Sequence, residues 1–252
     1  MHGGIERRTS RVFAADGRSV MLAFDHGLWG DRSGGMADPE KTLREGVAAG
    51  VDAVLTSVGN ALRFGAAIDR GGLVLSLDRV EGDPRAAVDE ALGLGADMVK
   101  AMCFPGSKDE ERSLADTARI VAECHARQLP VLLEAVPVDF DAVDQHTTEN
   151  VAAAARIGAE LGADVLKTHF TGDAFSDVLD GLAVPLVVLG GPTRVDDRGV
   201  LADVEAAMRA GAAGVAIGRN LWDHPTPAKM IAAVGVLVHG GGTRDEALRE
   251  LG

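Results

Sequence analysis

The sequence predicts a single (β/α)8 TIM barrel over residues 1–252, and three observations carry that prediction. Eight short apolar runs alternate with helix-patterned segments, the order expected of a parallel sheet covered by helices. The length of 252 residues matches the ~250 that a closed eight-fold barrel needs. A glycine-centred pattern also recurs at residues 49–54, 94–99, 161–166 and 210–215, before every second run. Each copy reads as a helix end, a glycine able to take positive φ, and a turn into a strand. One copy per two strands is a quarter of a barrel, which favours closure over an open doubly wound sheet.

Taken in order, residues 1–19 form a polar lead-in carrying Arg7, Arg8 and Arg11, with a turn at Ala15-Asp16-Gly17-Arg18. The first strand runs from Val20 into Asp25-His26-Gly27. It is apolar throughout and polar at its end, as a strand buried on both faces reads when it opens onto a site. The other runs are 53–58, 73–78, 98–104, 131–136, 165–170, 186–191 and 214–219. Asp38-Pro39 and Asp83-Pro84 mark helix starts, and Ser107-Lys108-Asp109-Glu110 reads as a capping box. Residues 225–239 form the eighth helix, and 240–252 hold a glycine stop and a short C-terminal helix capped at Thr243.

Composition narrows the function. Lys plus Arg number 25 against 38 for Asp plus Glu, a formal charge of −13. Such a surface repels phosphate backbones and anionic headgroups, so neither nucleic acid nor a membrane is an expected partner. The two cysteines, Cys103 and Cys124, have no metal-type spacing and imply no disulfide framework. With no long apolar span and no signal-like start, the expectation is a cytoplasmic protein.

In such a barrel the chemistry lies at the C-terminal strand ends. The polar residues ending the runs are Asp25 and His26, Asp78, Lys100, Glu134, Lys167 and His169, and Arg219. Lys167 stands inside the apolar run of strand six, where a lysine has to be paired or uncharged. An uncharged lysine is a nucleophile toward carbonyls, and an ion-paired one closes the strand end structurally. Lys100 and Lys167 each fall five residues after their repeat glycine, so they should occupy equivalent places on strands four and six, with Glu134 between. Two ammonium groups about 6 Å apart at an effective dielectric of about 20 repel by roughly 3 kcal/mol, which favours one of them uncharged. Glu134 and Asp25 are candidates for proton transfer; a salt bridge and a turn role are their plainer alternatives.

Glycines Gly190 and Gly191 after strand seven, with Gly218 and Arg219 after strand eight, form a candidate phosphate cradle. His26 and His169 are candidate substrate-binding groups. The seven histidines are scattered without metal-ligand spacing, so neither a metal nor another cofactor is expected.

With these residues in place the chain resembles the class I aldolases that include archaeal-type fructose-bisphosphate aldolases, aminodideoxyheptulosonate synthases and the autoinducer-2 phosphate aldolase. The resemblance rests on Asp16-Gly17-Arg18, Asp25-His26-Gly27, Leu166-Lys167-Thr168 with Thr171-Gly172, Gly190-Gly191-Pro192 and Gly218-Arg219-Asn220. It implies that Lys167 is the Schiff-base lysine, Asp25 an acid/base group, and the two glycine loops a phosphate site. It further implies a lyase acting on a phosphorylated ketose, with dihydroxyacetone phosphate as donor, and a homo-oligomeric assembly. One feature departs from the family's fructose-bisphosphate aldolases, whose strand five supplies a tyrosine proton donor. Here that stretch is Glu134-Ala135-Val136-Pro137, and the chain contains no tyrosine. Lys100 and Glu134 resemble instead the pair flanking the Schiff-base lysine of tagatose-bisphosphate and animal-type aldolases, so Glu134 is the expected replacement. Two alternatives stand beside this expectation: acyl transfer from a phosphorylated diketone to a thiol, and a non-catalytic sugar-phosphate-binding barrel.

Overall fold

The computed structural model describes residues 3–79, 82–194 and 196–252. All eight apolar runs form strands: β1 (Ser19–Phe24), β2 (Ala53–Ser57), β3 (Gly72–Ser76), β4 (Met98–Cys103), β5 (Val131–Ala135), β6 (Val165–Thr168), β7 (Leu186–Leu189) and β8 (Gly214–Ile217). Each pairs in parallel with the next, and β8 returns to β1, giving a closed barrel. The helices are α1 (Gly3–Val12), α2 (Pro39–Ala48), α3 (Val58–Phe64), α4 (Pro84–Gly93), α5 (Glu110–Ala126), α6 (Thr148–Glu160), α7 (Phe175–Leu179), α8 (Asp197–Ala210), α9 (Arg219–Trp222), α10 (Pro227–Val238) and α11 (Arg244–Leu251).

Alternation along each strand sorts its side chains between two cores. Leu22, Val99, Leu133 and Leu166 face outward into the layer beneath the helices. Met21, Met98, Leu132 and Val165 face inward and fill the barrel axis. Continuing the same period inward brings Lys100, Glu134 and Lys167 to the next level, which is why three ionisable residues stand on apolar strands. Lys100 is level with Leu132 and Lys167 with Glu134. That two-residue offset from β4 to β6 is the stagger a tilted barrel imposes.

The repeat glycines end their helices in the left-handed region, with φ of 95° at Gly50, 80° at Gly95, 101° at Gly162 and 111° at Gly211. Two residues after the glycine, three of the four repeats carry an aspartate that brackets the start of the preceding strand. Asp52 donates its N–H to the Val20 carbonyl at 3.0 Å and accepts the Val20 N–H on its carboxylate at 2.7 Å. Asp97 does the same to Leu73, and Asp164 to Val131. Each bracket also holds a basic side chain: His239 on Asp52, Arg11 on Asp97 and His125 on Asp164. In the fourth repeat Ala213 stands at that position, and only its N–H reaches back, to the Leu186 carbonyl.

The polar lead-in contains an ordered helix. Ile5 and Val12 of α1 are buried, and Val12 and Phe13 join Met21, Met98 and Leu132 in the barrel interior. α1 therefore stoppers the N-terminal end of the barrel. Ser19 begins β1 and its hydroxyl donates to the Val12 carbonyl at 2.7 Å. The Asp16-Gly17-Arg18 turn fastens the far end of the chain, since Arg18 donates to the Val238 carbonyl and His239 contacts Asp16.

Asp38 and Asp83 cap α2 and α4 as the sequence predicts, and Thr243 closes a capping box on α11. The expected box at Ser107 is not formed. α5 starts at Glu110 behind Asp109, whose side chain makes no cap. The Glu110 carboxylate is taken by the Gly106 N–H at 3.1 Å, while Ser107 closes a turn onto Phe104. The eighth helix begins at Pro227 rather than Pro225.

Candidate active site

The inward period of five strands converges on one buried cluster at the C-terminal end of the barrel. Glu134 lies between the two lysines, with Oε1 2.8 Å from Lys167 Nζ and Oε2 2.8 Å from Lys100 Nζ. Lys100 also reaches Asp25 at 3.3 Å and makes a close contact with Asp78. The Ser76 hydroxyl donates to Asp78 at 2.8 Å. All five charged side chains are at least nine-tenths buried, Lys167 and Asp25 being the most exposed at 7% each.

Charges this deep need their partners, and the titration of the cluster reflects them. Burial alone would raise Glu134, but the Lys100 and Lys167 ammonium groups outweigh it and pull the carboxyl down to about 2. In Asp25 burial likewise opposes ionisation, and Lys100 and Lys167 overcome it to lower the carboxyl. In Asp78 burial prevails over Lys100 and raises the carboxyl to about 6. Lys100 is raised, because three surrounding carboxylates offset its desolvation.

His169 follows β6 and stacks on His146 from the β5–α6 loop, with ring centroids 3.9 Å apart. Burial, reinforced by His146, lowers His169 to about 4, so its ring is neutral at pH 7. Its Nε2 is buried without a hydrogen-bond partner among the described residues, and it lines a pocket with Phe170, Gly190, Gly191 and Arg194. His26 lies beside Asp25, Nδ1 to Oδ1 3.8 Å, and its ring meets Trp222 edge-on. Burial lowers His26 as well.

The two glycine loops adjoin, tied by Asn220, which donates to the Gly190 and Pro192 carbonyls and accepts the Arg194 N–H. Two of the three loop glycines are required by packing. A Cβ at Gly190 would stand 2.7 Å from Ile217 Cγ2, and one at Gly218 2.7 Å from His26 Nε2. Gly191 has φ of 63° and open space around it. Arg219 is partly exposed, with Asp31 3.7 Å away as its charge partner.

The strand-end candidates Asp25, Lys100, Glu134 and Lys167 thus meet in one constellation, while His26, His169 and the glycine loops form its rim. Asp78 belongs to the cluster although only its place at a strand end marked it in the sequence. His146 had no signal, because its position depends on the path of the β5–α6 loop. Among the described residues no group of three or more His, Cys, Asp or Glu side chains is arranged to hold a metal ion. No helix there is long and apolar enough to cross a membrane.

The DeoC/LacD family aldolase model matches residues 19–224. The chain is 34% identical over 259 residues to 2-amino-3,7-dideoxy-D-threo-hept-6-ulosonate synthase of Halobacterium salinarum, covering 99% of this chain and 97% of the relative. It is 36% identical over 248 residues to a class 1 fructose-bisphosphate aldolase of Thermoproteus tenax, covering 92% and 93%. A solved structure of a Schiff-base-forming fructose-1,6-bisphosphate aldolase is similar at a TM-score of 0.82 and 34% identity, covering 93% of this chain and 100% of that one.

Proposed function

Since the chain belongs to the DeoC/LacD family of class I aldolases, we propose that it makes or breaks a carbon–carbon bond of a phosphorylated ketose through an imine at Lys167, with dihydroxyacetone phosphate as donor. The observation that carries this is the single carboxylate of Glu134 held 2.8 Å from both lysines. A nucleophilic lysine must shed a proton before attack, and the carbinolamine must lose its hydroxyl as water. Glu134 is in contact with the Lys167 amine to accept the first proton and return it to the second. Lys100 keeps Glu134 ionised between these duties.

Asp25, at the end of β1, lies 3.3 Å from Lys100 and moves the proton at the cleaved or formed bond. With no tyrosine in the chain, the carboxylates take the acid/base work. The loops after β7 and β8 receive the phosphate, with Gly191 offering open backbone and Arg219 a partly exposed cation. The ring of His169, neutral by burial, offers its Nε2, which has no partner among the described residues, to a substrate hydroxyl or carbonyl.

Borohydride reduction in the presence of dihydroxyacetone phosphate, followed by intact mass and peptide mapping, tests this. A reduced adduct on Lys167, absent from Lys167→Met, is the expected result. Binding of the donor without an adduct on any lysine would sink the imine for this donor.

A further inference from the structure

The buried cluster holds three carboxylates and two amines, so with every group ionised it carries one uncompensated negative charge. Asp78 is the member that the imine chemistry leaves without a duty. Its Oδ2 is engaged by Lys100 and by the Ser76 hydroxyl. Its Oδ1 is buried and has no hydrogen-bond partner among the described residues. A buried carboxylate oxygen without a donor is costly when charged, and a proton placed on it relieves that cost. The groups facing Asp78 are Asp25 from β1, Lys100 from β4 and, beyond Lys100, Glu134 from β5. Arg79, next in the chain, is turned away and lies 4.2 Å over the Trp29 ring.

Among the described residues, Lys100 is the one cation that contacts all of Asp78, Glu134 and Asp25. Whatever Asp78 draws from it is not available to Glu134. We propose that Asp78 is a positioning residue whose protonation decides how firmly Lys100 holds Glu134, and thereby how readily Glu134 takes the proton of Lys167. Ionised Asp78 draws the Lys100 ammonium toward β3, and Glu134 is left the stronger base. A proton entering from solvent onto Oδ1 neutralises Asp78, and Lys100 then turns its charge to Glu134 and Asp25. No bond between heavy atoms changes in this step. The burial that lifts the Asp78 carboxyl to about 6 places the change just below neutral pH. The proposal rests on the assignment of Lys167 as the imine-forming lysine.

The experiment measures the rate of reducible adduct formation with dihydroxyacetone phosphate from pH 5 to 8 in the wild type, Asp78→Asn and Asp78→Glu. The wild-type rate should climb through the region of pH 6 to a plateau. Asp78→Asn, which cannot ionise, should show a flat rate about tenfold below that plateau, as a loss of roughly one unit of basicity in Glu134 predicts. Asp78→Glu should restore the climb. A climb kept in Asp78→Asn, or a loss by the same factor at every pH, would overturn the proposal while the Lys167 adduct stood. No adduct on Lys167 at any pH would overturn the imine assignment and the proposal together. If Asp78→Asn does not fold, infrared titration of the unliganded wild type decides. A protonated-carboxyl band growing in below about pH 6, and displaced in Asp78→Glu, supports the proposal; its absence overturns it.

Discussion

Glu134 does at the residue scale what neither lysine could do alone, since it lets two ammonium groups occupy one apolar interior. Replacing it by glutamine keeps the shape and removes the base. Glu134→Gln should therefore lower turnover by roughly 10²–10⁴-fold, with binding of dihydroxyacetone phosphate retained, as steady-state kinetics and a titration with it would read. The same carboxyl couples stability to pH. Its folded value of about 2 lies below the ordinary 4.5, so its contribution is full above about 4.5 and is lost as pH falls toward 2. Chemical-denaturation midpoints across that window should fall with acid, and Glu134→Gln should flatten that part of the profile. Lys100, Glu134 and Lys167 were legible in the sequence because a two-residue period in an apolar run leaves an ionisable side chain only the interior to face. The role of Asp78 was not legible, because it arises from sharing Lys100 with Glu134, and such sharing exists only after three strands have been brought together. The expectation for Gly190 and Gly218, a backbone opened to phosphate, is joined by a packing demand from Ile217 and His26 that no local spacing encodes.

At the scale of elements, the repeat explains more than the turn it announces. Its aspartate closes a two-bond bracket on the preceding strand in the β1–β2, β3–β4 and β5–β6 pairs, and β7–β8 lacks one. Asp164→Ala would leave the Val131 N–H without its acceptor and free His125 from its partner. A loss of about 1–3 kcal/mol is expected, measurable as a lowered urea midpoint with activity unchanged in the surviving folded fraction. The turn was readable from glycine alone, whereas the bracket needed the partner strand. The unformed capping box at Ser107 shows the converse. A Ser-x-x-Glu pattern permits a cap, but the Gly106 N–H claims the glutamate first, and tertiary placement of β4 decides where α5 begins.

For the molecule as a whole, closure of the sheet was predictable from length, strand count and the quarter-barrel repeat, all properties of the chain rather than of any contact. The ordering of the first residues was not, because the outer face of α1 is charged and only Ile5, Val12 and Phe13 reveal its inner side. Truncation to Ser19 should expose those neighbours and lower the thermal midpoint, a shift that scanning calorimetry would record. The stopper has a kinetic corollary. With one end of the barrel closed by α1 and its axis filled by Met21, Met98, Leu132 and Val165, the amine and carboxylates face solvent toward the C-terminal strand ends, where a seated substrate stands. A hydrogen drawn from the donor carbon is then confined rather than diluted into bulk solvent. Deuterium placed on that carbon should pass into solvent water more slowly than the enzyme turns over, so that the packed far end of the barrel, remote from every reacting atom, governs how long an isotopic label stays with the unreacted donor.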